Sequence, residues 1–140
     1  MAGARLGVGI ACRELMNDLN TIKYSTNPYN VNSMTQAAGI GALESIDEIR
    51  ENCRQVAENR EWTAERLKAL GFAMTDSAAN FLFARHPDMD GDTLYRELKE
   101  KGILVRHFDT ERIRDYIRVT VGSRQQMEAM TETAAQVLGR

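Results

Sequence analysis

The sequence predicts an α+β fold: a small, mostly antiparallel sheet with helices packed on one face, preceded by helical segments, the last of which is the longest element. Three observations predict it. The stretch ending at Gly71 carries Ile49, Cys53 and Val56 at i, i+4 and i+7, and Ala64, Leu67 and Leu70 resume that stripe, the pattern of one amphipathic helix. After Gly71, short β-branched and aromatic runs are interrupted by helical segments in the order β-β-α-β-β-α. Near the end, Tyr116-Ile117-Arg118-Val119-Thr120-Val121 reads as a strand closed by Gly122, with an arginine at its centre.

Taken in order, Leu6 to Ala11 reads as a short apolar strand of the buried parallel kind, which does not fit the later sheet. Arg13 to Leu19 reads as a short helix, and Lys23 to Asn32, rich in Asn and Ser with Pro28, as a loop. Ser33 and Gln36 have capping-box spacing and open a small-residue helix through Ala37, Ala38 and Ala42. Ser45 and Glu48 repeat that spacing and restart the helix after a bend. In the long helix, Glu48, Arg50, Glu51 and Arg54 fall on solvated faces, Trp62 is read as a packing residue, and Gly71 is the stop. Phe72 to Thr75 and Asn80 to Arg85 follow as strands. Asp92 to Lys101 is a helix with Leu94 and Leu98 inward, ended by Gly102. Ile103-Leu104-Val105 is a further strand; Ser123 and Gln126 cap a last helix through Met127, Met130, Ala134 and Val137.

Composition sets limits on function. A chain of 140 residues can bury one sizeable core. With 43% hydrophobic and 27% charged residues it has the make-up of an ordinary globular protein. A net charge of −2 gives no attraction to nucleic acid or anionic lipid. No apolar run approaches a membrane span, and no basic segment followed by an apolar core suggests a signal peptide. Cys12 and Cys53 are isolated and lack metal-site spacing, so no disulfide, no metal site and a reduced cytoplasmic setting are expected. Cys53 falls on the apolar stripe and is expected to be a small core residue.

Arg118 cannot lose its charge. On a strand it either points outward to solvent or faces a site where it needs an anionic partner, which its planar fork can hold in two parallel hydrogen bonds. Arg106 ends the run Ile103-Leu104-Val105, where a strand edge can open into a cleft. His107 follows it and has the one side chain type that ordinarily titrates near neutral pH. No Cys/His pair or paired-carboxylate constellation offers competing chemistry.

Gly3-Ala4-Arg5-Leu6-Gly7, Asn27-Pro28-Tyr29-Asn30-Val31-Asn32, Asn80-Phe81-Leu82-Phe83 and the strand Tyr116 to Gly122 together resemble the fold-type I aminotransferases that use pyridoxal phosphate, nearest to the histidinol-phosphate aminotransferases. The resemblance runs over essentially the whole chain and matches roughly the last two-fifths of a family member, beginning just after the Schiff-base lysine. It implies that residues 1–32 are a remnant of the large cofactor domain with its linker and residues 33–140 the small C-terminal domain. It also implies a homo-oligomer acting on a small amino-acid-like phosphate substrate, by transamination between glutamate and imidazole-acetol phosphate in histidine biosynthesis. By the same resemblance, Arg5 binds the cofactor phosphate, Arg118 and Arg106 hold the anionic groups of the substrate, and Tyr29 lies against its side chain. None of Lys23, Lys68, Lys99 and Lys101 stands in a Ser-Lys pair before the Gly3-to-Gly7 turn, so no catalytic residue is assigned and the chain alone is expected to be inactive and not to retain the cofactor. A non-catalytic binding domain with the same fold, or part of a related aminotransferase or decarboxylase, remains the alternative.

Overall fold

The computed structural model describes residues 2–139. They form two compact units, Met1–Arg50 and Glu51–Arg140.

The first unit opens with a single 3-10 turn at Ala2–Ala4. Arg5 follows in the left-handed region, with φ of 58°. The strand expected at Leu6 to Ala11 is absent: these residues join no sheet. A strand needs a partner for its ladder bonds, and none of the four strands pairs with this segment. Helix α1 (Arg13–Thr26) is longer than the sequence suggests. Thr21, Ser25 and Thr26 turn their hydroxyls back onto the carbonyls of Asn17, Thr21 and Ile22, so polar residues that favour loops are accommodated in helix. Lys23, expected in a loop, is therefore helical, and its ammonium donates to the Asn30 side chain at 2.9 Å. Helix α2 (Ser33–Glu44) is capped one residue earlier than expected: Asn32, not Ser33, accepts from the Thr35 amide at 2.9 Å. After the break at Ser45, α3 (Ile46–Ala69) begins; its later turns belong to the second unit.

The second unit has the expected order. Strands β1 (Ala73–Met74) and β2 (Phe81–Arg85) precede α4 (Gly91–Glu100). Strands β3 (Arg106–His107) and β4 (Ile117–Thr120) precede α5 (Arg124–Val137). The sheet runs β1-β2-β4-β3, and every neighbouring pair is antiparallel. Leu82 lies opposite Val119 and Ala84 opposite Ile117, and all four are buried. They share one core with Leu67 of α3, Leu94 and Leu98 of α4, and Met130 and Ala134 of α5. The helices thus cover one face of the sheet, as the alternation along β2 and β4 requires.

Local signals fixed several ends of this unit. Gly71 leaves α3 with φ of 95°, and Gly102 leaves the α4 end with φ of 85°. Asp90 caps α4 by accepting from the Asp92 and Thr93 amides, and Ser123 with Gln126 closes a full capping box on α5. Two expectations fail. Cys53 is exposed, because the early turns of α3 have no neighbour on that face; only Thr63 and Leu67 of this helix are fully buried. Ile103-Leu104-Val105 is not a strand: the Ile103 amide is spent on the Leu98 carbonyl closing the helix end, and Leu104 is 79% exposed. The strand starts at Arg106, which moves Arg106 from a strand end into the sheet.

Candidate anion-binding face

The side of the sheet away from the helices carries the chemistry. Strand residues alternate, so burying Leu82 and Ala84 turns Phe81, Phe83 and Arg85 to the other face, and burying Ile117 and Val119 does the same for Arg118. In the β3–β4 register Arg106 is the direct partner of Arg118. Two guanidiniums therefore sit opposite each other on adjacent strands, an arrangement that is unfavourable unless something offsets the repulsion.

No carboxylate does so: among the described residues the ion pairs engage Arg50, Arg54, Arg60 and Arg96, and neither Arg106 nor Arg118. Aromatic rings surround them instead. The Arg118 guanidinium carbon lies 5.5 Å from the Phe81 ring centroid and 5.9 Å from that of Phe108, and the Arg106 guanidinium lies 5.2 Å from the Phe108 ring. Phe83 stacks on Tyr116 at 4.6 Å with an interplanar angle of 8°, and Arg85 lies 5.8 Å from the Tyr116 ring. The Arg118 Nε is buried and makes no hydrogen bond. Cations held by π faces keep their N–H donors free, so this face presents two forks suited to an anion's oxygens.

The structure thus brings two of the sequence-assigned site residues, Arg106 and Arg118, onto one face. The other two belong to the first unit. Arg5 is exposed between Gly3 and Gly7, where nothing crowds either glycine. Tyr29 is 84% exposed in the loop after α1, its amide donating to the Asn27 side chain at 3.4 Å. Asn80 serves the backbone: its carbonyl accepts from the Val121 amide. Sequence reasoning missed Phe108. The signal was the spacing of aromatic and arginine residues at i and i+2 through Phe81-Phe83-Arg85 and Tyr116-Arg118, but placing Phe108 beside both arginines required the β3–β4 register.

His107, the next residue of β3 after Arg106, donates through Nε2 to the Arg114 carbonyl at 2.7 Å and stacks on Tyr95 of α4. It lines a separate cleft of about 470 Å³ with Asp90, Asp92, Asp109 and Asp115 and with Arg96 and Arg114. Four carboxylates against two arginines, one of which (Arg96) is paired with Asp92 at 2.7 Å, leave that cleft acidic on balance, and no group of acidic, His or Cys side chains among the described residues could hold a metal ion. The arginine face, with no carboxylate paired to either guanidinium, is the better candidate for an anion. No helix is long and apolar enough to cross a membrane among the described residues.

Residues 1–133 match the class I and II aminotransferase family. The chain is 41% identical over 132 residues to a histidinol-phosphate aminotransferase of Brachyspira hyodysenteriae, an alignment covering 94% of this chain and 37% of that protein. It therefore spans less than half the length of this relative. Among solved structures, histidinol-phosphate aminotransferase from Sinorhizobium meliloti, in complex with pyridoxal-5'-phosphate, superposes with a TM-score of 0.75 at 19% identity, over 88% of this chain and 34% of that one. Aspartate aminotransferase from Thermotoga maritima gives 0.76 at 21% identity, over 100% of this chain and 37% of that one. Two enzymes of different name fit the fold about equally well, so the fold leaves the substrate open. The matched segment and the α+β architecture agree: the chain belongs to the class I and II aminotransferases.

Proposed function

We propose that this chain is the C-terminal segment of a pyridoxal-phosphate-dependent histidinol-phosphate aminotransferase and that it supplies the substrate-anion side of the site. The observation that carries this reading is the Arg106–Arg118 pair, two guanidiniums opposed across β3 and β4 with no carboxylate partner and aromatic walls. Such a pair suits an oxyanion that engages both forks, the phosphate of an amino-alcohol phosphate ester in one half-reaction and a glutamate carboxylate in the other. Sequence identity favours the histidinol-phosphate branch over other aminotransferases.

The cofactor fits this chain at one end only. Arg5, in a left-handed turn flanked by two glycines, has the donor set for a phosphate. None of Lys23, Lys68, Lys99 and Lys101 stands in a Ser-Lys pair before the Gly3-to-Gly7 turn. When bound, pyridoxal phosphate supplies an electron sink for the substrate α-carbon. What this chain's residues do is bind and orient: Arg5 the cofactor phosphate, Arg118 and Arg106 the substrate anions, Tyr29 the substrate side chain. By resemblance, residues 1–32 belong with the cofactor domain and 33–140 with the small domain, whereas packing divides the chain at 50/51. The parent is proposed to be a cytoplasmic homo-oligomer.

Titrating the 140-residue chain with histidinol phosphate and with glutamate, followed by the arginine side-chain signals in NMR, tests the reading. Both ligands are expected to shift Arg106 and Arg118 saturably. Arg118→Ala should weaken binding roughly tenfold to a hundredfold, the loss of a charge-assisted contact of about 1.5–3 kcal/mol, and Arg118→Lys should recover only part. If Arg118→Ala binds both ligands as the wild type does, the assignment fails. Incubation with pyridoxal phosphate, borohydride reduction and digestion should give scattered, substoichiometric lysine labelling; one stoichiometrically labelled lysine together with transaminase activity would overturn the expectation that the chain alone is inactive.

A further inference from the structure

We propose that Phe108 is a positioning residue that orients both guanidiniums toward one shared anion; the inference rests on the anion-binding role proposed for Arg106 and Arg118. Both guanidinium carbons lie within 6 Å of this single ring, at 5.2 and 5.9 Å. Arg106 and Arg118 are cross-strand partners, so their charges repel, and neither has a carboxylate to hold it. On α3 the contrast is plain: Arg54 is ordered by Glu51 and Glu58, and those contacts occupy its donors. A carboxylate beside Arg118 would order it equally well but would fill the fork. A phenyl face attracts the cation through its quadrupole and leaves every N–H free.

The loop that carries the ring is held. Phe108 begins the loop between β3 and β4, and that loop is tied down on both sides. His107 donates to the Arg114 carbonyl at 2.7 Å. The Ile113 amide bonds the Thr110 carbonyl and the Tyr116 amide the Ile113 carbonyl, both at 2.9 Å. Gly91 at the start of α4 lies so close under the loop that a Cβ there would meet the Asp115 backbone at 2.9 Å. A loop closed by turn hydrogen bonds thus carries the ring that both guanidiniums approach. Phe81 does a lesser version of the same, reaching Arg118 alone.

The test uses the isotopically labelled 140-residue chain, with the Arg106 and Arg118 side-chain signals assigned through Arg→Lys variants. Ring-current shifts of those protons are read without ligand; inorganic phosphate is then titrated. Phe108→Leu is expected to remove the ring-current shift from Arg106, to reduce that of Arg118, whose contribution from Phe81 stays, and to weaken phosphate binding about threefold. Phe108→Tyr should restore both. Phe81→Leu should move Arg118 alone. If Phe108→Leu leaves either arginine's shift unchanged, or changes both shifts without weakening phosphate binding, the inference is wrong. Failure of the underlying reading shows separately: Arg106→Ala and Arg118→Ala would then leave phosphate binding unchanged. The ligand-free shifts still decide whether Phe108 orders the pair. Core amide signals of Leu94, Leu98 and Ile117 report that each variant is folded.

Discussion

Residues 1–50 and 51–140 are built from similar material and end in opposite states. In the second unit, α4 and α5 bury Leu94, Leu98, Met127, Met130 and Ala134 against the sheet. In the first, neither α1 nor α2 buries a residue, and Ile10, Met34 and Leu43 are 96%, 83% and 73% exposed. Helix α2 is the more apolar by sequence, yet α4, rich in charge, is the one that packs. Burial follows from having a complementary surface, not from composition. The first unit's helices rest on local devices: the Asn32 cap, the hydroxyl back-bonds of Thr21, Ser25 and Thr26, and the Leu6 side chain over Gly39.

The largest effect expected is at the core. Leu98→Ala removes a fully buried side chain and should cost about 2–5 kcal/mol, whereas Leu19→Ala on half-exposed α1 should stay within about 0.5 kcal/mol. Denaturant unfolding of both variants checks this; comparable losses would erase the distinction between the two units. Native-state hydrogen exchange sharpens it: amides of α1 and α2 should exchange far faster than those of α4 and α5, because local opening needs little apolar exposure where little is buried. A protected N-terminal segment at Leu6 to Ala11 in a demonstrated monomer would contradict this.

Gly91→Ala should cost about 1–3 kcal/mol, since a methyl group there runs into the Arg114 carbonyl and the Asp115 backbone. Gly41→Ala, in α2 with open space around it, should be neutral or slightly stabilising. Thermal melts separate the two. A smaller effect follows from the α4 cap. The Thr93 amide and hydroxyl hold the Asp90 carboxyl below its ordinary 3.8. A depressed folded value means that the cap's contribution is present above the ordinary value and is lost as the pH falls through the folded one. Asp90→Ala should therefore cost about 1 kcal/mol near pH 7, and the difference from wild type should shrink below about pH 4. A pH-independent gap in paired melts would show that the carboxylate charge is irrelevant. Smallest of all, Leu43→Gln should leave unfolding nearly unchanged but lower self-association in sedimentation, because it breaks an exposed apolar patch.

The sequence determined by itself what depends on neighbours a few residues away. Gly71 and Gly102 end helices because a left-handed residue tolerates no Cβ cheaply, and Ser123 with Gln126 caps α5 through bonds made within one turn. The period-2 and period-3.6 stripes of the second unit named its core, so the order of elements was legible. Arg118 and Arg106 were legible as candidates from their places in an apolar strand and at a strand edge, and the resemblance gave them their proposed roles. The tertiary structure decided the rest. Cys53 lies on an apolar stripe and is exposed, and Leu6 to Ala11 has strand composition and joins no sheet. The cross-strand register set Arg106 against Arg118 and a loop brought Phe108 to both, because pairing across strands joins residues whose separation along the chain carries no periodic signal.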